Sequence, residues 1–256
     1  MKLPLLVLAG LDPTGGAGLI ADAASARALG CHPLTIPTTL TIQNSLRFEA
    51  ALPVDAAYIA RALTALTEEF TFDTAKIGLV PFTDGVWLDT VGPLIRSRCR
   101  HIVIDPVLKA TAASAKPSAG PGAAFLRFIT GPGTIITPNH RELSLIADAL
   151  GIASGTTGTT ARAVSAATGA AVVVTFETEK ALVLVAEQNG ITEVPITLIP
   201  TERSVHGTGC RFSTAIACGL AAGMPLPDAV KQAADHLTTL LGNRELFHSN
   251  GQEYPC

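Results

Sequence analysis

The sequence predicts a three-layer α/β fold, in which a mostly parallel sheet is covered by helices on both faces. Strand-like and helix-like segments alternate almost throughout the 256 residues, as they do where crossover helices join parallel strands. Several strand segments, such as Leu5–Ala9 and Ala171–Phe176, are continuous apolar runs, which indicates strands covered on both faces. We find no internal repeat and no linker in the sequence, so residues 1–256 are predicted to form a single domain.

In the first half of the chain, turn residues and helical periodicity separate the elements. The first strand runs into a glycine-rich loop, and the alanine-rich helix after it stops at Gly30. Asp55 has the position of an N-cap, because apolar residues recur at helical spacing after it. The predicted strands are 5–9, 33–42, 76–80 and 101–104, and the predicted helices are 17–29, one that follows Asp55, and 84–96.

In the second half, residues 106–122 and the low-complexity run 153–161 are predicted to be loops. Strands near 181–186 and 191–198 suggest a local antiparallel addition to the sheet. Pro225–Pro227 is expected to break the chain before the last helix, and the polar tail to Cys256 is expected to be loose. The other predicted strands are 134–137 and 171–176, and the other predicted helices are 123–129, 140–150, one near 160–168, one from 210, and 228–242.

The composition excludes several classes of function. Hydrophobic residues make up 48% of the chain and charged residues 15%, which is typical of a globular protein. The net charge of −3 gives no support for binding to nucleic acid or to an anionic membrane surface. The apolar run Leu3–Ala9 is too short to span a membrane. The five cysteines form no CxxC pair, which excludes a disulfide framework and fits a reducing cytoplasm.

The glycine turn Gly207-Thr208-Gly209 comes directly before a long run of small and apolar residues. Glycines before a helix let backbone N–H groups point at one spot, where the helix dipole adds positive charge. Cys210 follows in the first turn, where that field favours the thiolate. An anion site beside a reactive side chain suits phosphoryl or acyl transfer, but an ordinary turn with Cys210 as a small core residue fits equally well.

Polar and glycine residues cluster at the carboxyl ends of the predicted strands, where ligands gather in open parallel sheets. These residues are Gly10 to Gly18, Gln43 and Asn44, Gly78, Asp105, Asn139, and Gly207 to Cys210. Their placement predicts one site along this edge of the sheet.

The first loop fits neither common nucleotide-binding motif. Its glycines have the spacing of a P-loop, but Gly16 stands where the lysine must be, and G-x-G-x-x-G is absent. Asp22 lies among small and apolar residues on the next predicted helix, and it is either a substrate contact or an ordinary exposed carboxylate. Asn139 and Glu142 lie three apart at a helix start, where they could hold a hydrated Mg²⁺ or form a capping box.

Taken together, these sequence stretches resemble the hydroxymethylpyrimidine/phosphomethylpyrimidine kinases of thiamine biosynthesis, in the ribokinase-like superfamily. The matching stretches occur in family order over nearly the whole chain. They are AGLDPTGGAGLIAD (9–22), TIQNS (41–45), DTAKIGL (73–79), IDPV (104–107), ITPNHRE (136–142) and HGTGC (206–210). The cysteine of HGTGC is usual in these kinases, whereas many other members of the superfamily have aspartate there.

The resemblance implies an ATP- and Mg²⁺-dependent kinase with a ribokinase-like fold. It places Gly10, Asp22 and Gln43 at pyrimidine-contacting positions, with Leu79 and Val107 lining the pocket. It assigns Asp105, Asn139 and Glu142 to Mg²⁺ and phosphate, Gly207, Thr208 and Gly209 to an anion hole, and Cys210 to the place beside the reacting hydroxyl. A homodimer is also implied.

The sequence departs from the family pattern mainly at positions that are expected to contact the nucleotide phosphates. Thr175 begins a run where a lysine and two glycines are usual, and Lys109 and Lys116 are displaced within the 106–122 segment. Leu79 replaces a common methionine. Arg211 follows the cysteine where a small residue is common, so it either supplies phosphate charge or crowds the nucleotide. Thr175 and Arg211 are therefore the predicted nucleotide contacts.

Three alternatives stay open at this point. A pyridoxine or pyridoxal kinase would share most of these residues. Covalent cysteine catalysis would use Cys210 as nucleophile and His206 as base, although no third orienting residue is evident. A binding protein that has lost turnover would keep the pyrimidine pocket with an altered Thr175 region.

Overall fold

A computed structural model gives the fold of residues 2–44, 46–81, 85–108, 121–153, 155–177, 181–197, 199, 205–242, 246–248 and 253–255. The strands in these ranges are β1 (Leu3–Leu11), β2 (Cys31–Gln43), β3 (Phe48–Pro53), β4 (Thr74–Ile77), β5 (His101–Ile104), β6 (Thr134–Ile136), β7 (Ala171–Glu177), β8 (Leu182–Glu187), β9 (Gly190–Pro195), β10 (Leu246–His248) and β11 (Glu253–Pro255). The helices are α1 (Gly18–Ala28), α2 (Ala56–Glu69), α3 (Gly85–Arg96), α4 (Ala123–Ile129), α5 (His140–Ala149), α6 (Thr157–Thr168), α7 (Thr208–Ala221) and α8 (Leu226–Gly242).

The central sheet has nine strands in the order β3-β2-β1-β4-β5-β6-β7-β8-β9. β2 and β4 lie parallel on either side of β1, and the parallel pairing continues from β4 to β7. β3 is antiparallel at one edge, and β8 and β9 are antiparallel at the other. The predicted mostly parallel sheet, with an antiparallel addition near 181–198, is confirmed.

Both faces of the sheet are covered by helices, as β1 illustrates. Leu6 and Leu8 point into an apolar cluster that includes residues of α2 to α6. Leu5 and Val7 point into a second cluster, formed with α1, α7 and α8. All four side chains are fully buried, which explains why β1 is a continuous apolar run although successive residues of a strand alternate in direction. The three-layer prediction is therefore confirmed.

The strand predictions were wrong at three places. The sequence analysis missed β3, whose segment FEAALP contains residue types that are poor strand formers. This segment is tolerated because β3 is a largely exposed edge strand, where weak strand formers and a terminal proline cost little. The tail was predicted to be loose, but β10 and β11 pair antiparallel there, with Phe247 opposite Tyr254. The strand predicted at 76–80 is also shifted, because β4 covers Thr74–Ile77.

Three helices begin earlier than predicted, and one of them is α7, which starts at Thr208 rather than at residue 210. α6 starts at Thr157 because the Thr156 hydroxyl caps it, accepting a hydrogen bond from the Thr159 N–H at 3.2 Å. Part of the predicted 153–161 loop is therefore a helix start. α8 starts at Leu226, so that Pro227 lies in the first turn, where an N–H has no partner within the helix and its absence is tolerated.

Other predictions match the structure. The Asp55 side chain caps α2 by accepting a hydrogen bond from the Tyr58 N–H at 3.0 Å, as predicted. Of the predicted 106–122 loop, residues 109–120 lie outside the described residues, as does Asp84 of the predicted 84–96 helix. Among the described helices, none has the length and hydrophobicity needed to cross a membrane. The single domain over residues 1–256 stays a prediction.

The carboxyl ends of the parallel strands meet along one edge of the sheet. The residue that follows each strand donates its N–H to the neighbouring strand: Gly78 to the Leu8 carbonyl at 2.8 Å, and Asp105 to the Ile77 carbonyl at 2.8 Å. Thr137 continues this pattern after β6. These backbone hydrogen bonds hold the polar residues that follow the strands side by side.

Candidate active site

A cavity of about 900 Å³ lies at the carboxyl edge of the parallel strands, where ligands bind in open α/β sheets. Most of the predicted site residues line it. They are Gly10, Gln43, Leu79, Asp105, Val107, Asn139, Glu142, Thr175, Gly207, Thr208, Gly209 and Cys210. The other two predicted site residues, Asp22 and Arg211, are buried in the structure outside the lining of this cavity.

The glycine turn before α7 has the geometry that binds anions. Gly207 is the N-cap of α7 with a φ of 77°, and a Cβ there would lie 2.0 Å from the Gly16 carbonyl oxygen. Helical hydrogen bonding starts with the Arg211 N–H, which donates to the Gly207 carbonyl at 3.0 Å. The amides of residues 208–210 are therefore not used by the helix, and they lie at its positive end.

A buried pair of side chains joins this turn to the first glycine loop, residues 10–18. His206 Nε2 lies 2.8 Å from Asp12 Oδ2, and the two side chains are 11% and 3% exposed. Asp12 also accepts hydrogen bonds from the N–H groups of Thr14 and Ala17. Burial alone would raise the pKa of Asp12, but the hydrogen bonds with His206 and Thr14 lower it. Asp12 thus shapes one loop and fastens it to the other.

The sequence analysis missed Asp12 and considered His206 only as a base for Cys210. The signal for Asp12 was the run Asp12-Pro13-Thr14, since aspartate often accepts a hydrogen bond from the backbone two residues on. The partner of Asp12 could not be read from the sequence, because His206 is 194 residues away.

A second buried ion pair, between Lys76 of β4 and Asp22 of α1, lies beside the cavity. Lys76 Nζ is 2.7 Å from Asp22 Oδ2, and both side chains are 0% exposed. The Thr214 hydroxyl of α7 donates to the other Asp22 oxygen at 2.9 Å. A Cβ at Gly78 would lie 2.9 Å from the ammonium group, so glycine leaves room for Lys76. The sequence analysis did not single out Lys76, although a lysine in an apolar strand requires an anionic partner.

This pair changes the role of Asp22. The sequence analysis weighed Asp22 as a pyrimidine contact or an exposed carboxylate, but its oxygens are instead engaged by Lys76 and Thr214. Burial raises the pKa of Asp22, and Lys76 opposes this shift. Burial lowers the pKa of Lys76, but the negative charge of Asp22, with a smaller effect of Asp105, outweighs it and raises that pKa above its ordinary value. Lys76 therefore keeps its positive charge inside the protein.

Cys210 is a thiol in this structure, so the expectation of a thiolate was wrong. Burial raises its pKa from 9.0 to about 12, and the positive charge of Lys76 offsets only part of that shift. The thiol hydrogen-bonds Asp105, and its sulfur accepts from the Gly18 amide. Burial also raises the pKa of Asp105. Cys210 and Asp105 therefore form a hydrogen-bonded pair on the cavity wall.

Asn139 and Glu142 form the predicted capping box at the start of α5. The Asn139 side chain accepts from the Glu142 N–H at 3.0 Å, and Glu142 Oε2 accepts from the Asn139 N–H at 3.0 Å. Both residues also line the cavity, so capping does not remove them from the site. Burial, followed by the negative charge of Asp105, raises the pKa of Glu142 to about 8. Two carboxyl groups that repel each other therefore face this part of the cavity.

The residues predicted to contact the pyrimidine lie together in the cavity lining. Gln43 ends β2 and is paired in register with Phe48 of β3, which also lines the cavity. A Cβ at Gly10 would lie 3.0 Å from Leu79 Cδ2, so the two positions are in contact. Because β3 was missed, Phe48 was not predicted.

The two predicted nucleotide contacts separate in the structure. Thr175 lines the cavity, and its N–H donates to the Pro138 carbonyl at 3.1 Å. Arg211 is 4% exposed. Its positive charge opposes the rise in the pKa of Asp22 that burial causes, and it adds to the lowering of the pKa of His236 by burial. The expectation that Arg211 contacts the nucleotide was therefore wrong. Lys109 and Lys116 lie outside the described residues.

The side chains in the described ranges contain no group of three or more His, Cys, Asp or Glu residues that could hold a metal ion by themselves. A metal at this site would therefore take many of its ligands from water or from a bound substrate, as Mg²⁺ commonly does.

The chain matches the model of one protein family, Phosphomethylpyrimidine kinase, over residues 12–253. It is 31% identical over 238 residues to the hydroxymethylpyrimidine/phosphomethylpyrimidine kinase of Rhizobium meliloti (strain 1021), with 91% of this chain and 88% of that protein covered.

Solved structures with the same fold include two kinases. The pyridoxal kinase of Staphylococcus aureus in complex with AMP-PCP has a TM-score of 0.82 at 19% identity, with 100% of this chain and 93% of that chain covered. The phosphomethylpyrimidine kinase of Clostridium difficile 630 has a TM-score of 0.73 at 21% identity, with 93% and 100% covered. These similarities show the ribokinase-like fold.

Replacing Lys76 with Met is expected to lower the free energy of unfolding by about 3–5 kcal/mol, because it leaves Asp22 buried without its cation. Without Lys76 the pKa of Asp22 rises further, so the loss should be smaller at about pH 5, where Asp22 is protonated, than at about pH 8. Urea unfolding at both pH values measures this difference. Lys231→Met is the control, since Lys231 forms an exposed pair with Asp235 and should change stability by about 1 kcal/mol or less.

Glu142 is expected to make the metal-free protein less stable as the pH rises. Its pKa in the folded protein, about 8, exceeds the ordinary value of 4.5, so ionisation between these values favours the unfolded chain. Glu142→Gln preserves the capping box and should lose less unfolding free energy than the parent between about pH 5 and about pH 8. Equal pH dependence of the two proteins in urea unfolding with EDTA would contradict this assignment.

Proposed function

The chain belongs to the phosphomethylpyrimidine kinase family, and on that premise we propose that it transfers the γ-phosphoryl group of ATP to 4-amino-5-hydroxymethyl-2-methylpyrimidine and then to its monophosphate. It is a phosphotransferase, and its relatives carry the names of thiamine biosynthetic enzymes. The observation that carries the proposal is the meeting of Gln43, the 207–209 turn and the Cys210–Asp105 pair in one cavity.

Gln43 reads the pyrimidine ring in this proposal. An amide side chain can donate to a ring nitrogen and accept from an exocyclic amino group. Leu79 and Val107 supply the apolar surface against the ring, and the absence of a side chain at Gly10 lets the ring approach the backbone. Phe48, facing Gln43 across the β2–β3 hairpin, adds an aromatic wall.

The glycine turn stabilises the moving phosphoryl group. Phosphoryl transfer relies on positioning and electrostatic stabilisation, because the transition state spreads negative charge over the phosphoryl oxygens. The amides of Thr208, Gly209 and Cys210 lie at the N-terminus of α7 with no acceptor inside the helix. The pairing of Asp12 with His206 keeps this turn in place, so its amides need no reorganisation during the reaction.

The Cys210–Asp105 pair receives the hydroxyl proton. The substrate oxygen forms the new bond to phosphorus while the bond from phosphorus to the leaving ADP oxygen breaks. The hydroxyl proton passes to the Cys210 sulfur as the thiol proton passes to Asp105. Burial raises the pKa of Asp105, which makes this carboxylate a better acceptor of the proton than an exposed one.

The residues around Glu142 fit a magnesium ion held through water. Asp105, Asn139 and Glu142 would hold the ion on the anionic side of the cavity. Burial, followed by the negative charge of Asp105, raises the pKa of Glu142, and a cation would relieve that repulsion. When bound, Mg²⁺ neutralises charge on the nucleotide phosphates. A carboxylate has two oxygens, so Asp105 can face the metal waters with one and Cys210 with the other.

Two alternatives are weakened, covalent catalysis by the geometry and a pyridoxal kinase by the family match. Covalent catalysis would need His206 to activate Cys210, but the His206 ring pairs with Asp12 and the thiol pKa is raised. A pyridoxal kinase has the same fold, but the family match favours the pyrimidine. Incubating the protein with ATP, Mg²⁺ and an equal mixture of hydroxymethylpyrimidine and pyridoxal tests both points. Formation of pyrimidine mono- and diphosphate supports the proposal, whereas pyridoxal phosphate alone, or no phosphorylated product, contradicts it.

The predicted homodimer is part of the proposal. Leu40, Ile42 and Leu52 of the β2–β3 hairpin are 43%, 46% and 53% exposed, and apolar side chains grouped on one hairpin favour association. A second copy is proposed to cover them, with light scattering as the measurement.

The cytoplasmic location stays a prediction from cysteine usage.

Gln43→Ala is expected to weaken pyrimidine binding roughly tenfold while leaving ATP binding unchanged, because it removes hydrogen bonds to the ring only. Isothermal titration with each ligand measures both affinities. Gln188→Ala, at an exposed turn between β8 and β9, is the control and should change neither. Equal weakening of both ligands would remove Gln43 from the proposed pyrimidine pocket.

Cys210→Ala is expected to lower kcat roughly 10²–10⁴-fold, the usual effect of losing a proton-transfer group, with ATP binding kept. Cys210→Asp should retain measurable transfer, since a carboxylate can take the proton directly. Cys99→Ala, at a buried cysteine on the other side of the sheet, is the control for loss of a buried thiol. Steady-state kinetics, with mass spectrometry for an adduct, separates the outcomes. A substrate adduct on Cys210, or an alanine variant with unchanged kcat, would exclude the proton-transfer role.

A further inference from the structure

The described part of the cavity lining contains few positive charges for a ligand as anionic as ATP. Among the described residues that line it, the basic side chains are Lys76, Arg141 and His206. Lys76 is fully buried and paired with Asp22 at 2.7 Å, and His206 is paired with Asp12 at 2.8 Å. These two side chains are held by carboxylates that belong to the protein.

Arg141 differs from both. Its side chain is exposed and forms no salt bridge with any other residue that the structure describes. Its position is fixed by the backbone, because the Arg141 N–H donates to the Asn139 side chain at 3.0 Å in the first turn of α5. The guanidinium group therefore starts from a rigid point on the cavity wall, and no carboxylate of the described residues holds it.

The neighbours of Arg141 indicate which ligand it meets. Asn139 and Glu142 flank it in the chain, and Thr175 lines the same cavity. This is the part of the cavity proposed to hold the metal and the nucleotide phosphates. The carboxyl groups of Asp105 and Glu142 line the same cavity, so a phosphate chain here requires a cation beside it.

From this placement we propose that Arg141 binds the phosphate chain of ATP in this protein. The inference rests on the proposed kinase function and assigns one of its phosphate contacts. Arg211, the arginine that the sequence favoured for this role, is buried and acts on Asp22 and His236 instead. Arginine suits the task because its planar fork can donate two hydrogen bonds to one phosphate.

The test compares Arg141→Met and Arg141→Lys with the parent protein in isothermal titrations of ATP with Mg²⁺, and of adenosine. Arg141→Met should weaken ATP binding roughly 10–100-fold, the effect of losing hydrogen bonds to a charged group, and should leave adenosine binding unchanged. Arg141→Lys should recover part of the lost affinity, because it restores the charge without the fork. Arg162→Met is the matched control, since Arg162 is an exposed arginine on α6 outside the cavity lining and should not alter either affinity.

Unchanged ATP affinity in Arg141→Met would overturn the proposal, and so would an equal loss for adenosine. A loss confined to the pyrimidine monophosphate, measured as an increase of its KM alone, would also overturn it, because the phosphate contacted would then belong to the other substrate. The titrations require no turnover. Failure of phosphoryl transfer in the parent protein would therefore contradict the proposed function, whereas an unchanged ATP affinity would contradict only the role of Arg141.

Discussion

The ion pair between Lys76 and Asp22 is the interaction on which the site depends. It joins β4 to α1, and through Thr214 it joins both to α7. A lysine in the middle of a sheet is stable only with a close anionic partner, so these three elements must keep their relative positions. The same ammonium acts on Asp105 and Cys210. The pair therefore sets both the packing around the cavity and the charge on its wall.

The two glycine loops form a single unit, although nearly two hundred residues separate them. A Cβ at Gly207 would lie 2.0 Å from the Gly16 carbonyl oxygen. The loops are thus packed backbone against backbone, and Asp12 and His206 fasten them. This arrangement makes the amides before α7 a rigid site, which is what electrostatic stabilisation of a phosphoryl group requires.

Two opposing effects act on the pKa of Cys210, the helix N-terminus and burial, and their magnitudes decide whether the side chain is a thiol or a thiolate. A helix N-terminus stabilises a negative charge by about 2 kcal/mol at most, which corresponds to roughly 1.5 pKa units. Burial acts in the other direction: it can shift a pKa by roughly 3–5 units, and for the partly buried Cys210 it raises the pKa from 9.0 to about 12. Burial therefore prevails, and the group beside the reacting hydroxyl is a thiol that shares its proton with Asp105.

The sequence by itself determined the three-layer architecture, most element positions and the edge of the sheet where ligands bind. Apolar periodicity and turn residues act locally, so continuous runs such as β1 and caps such as Asp55 could be recognised without a structure. Only the tertiary structure decided which charges neutralise one another. Lys76 pairs with Asp22 and His206 pairs with Asp12, whereas Arg211 lies buried outside the cavity lining. Such pairings depend on burial and on contacts between distant segments, and neither leaves a periodic signal in the chain. For the same reason the weak edge strand β3, stabilised by pairing with β2, could not be predicted from its residues.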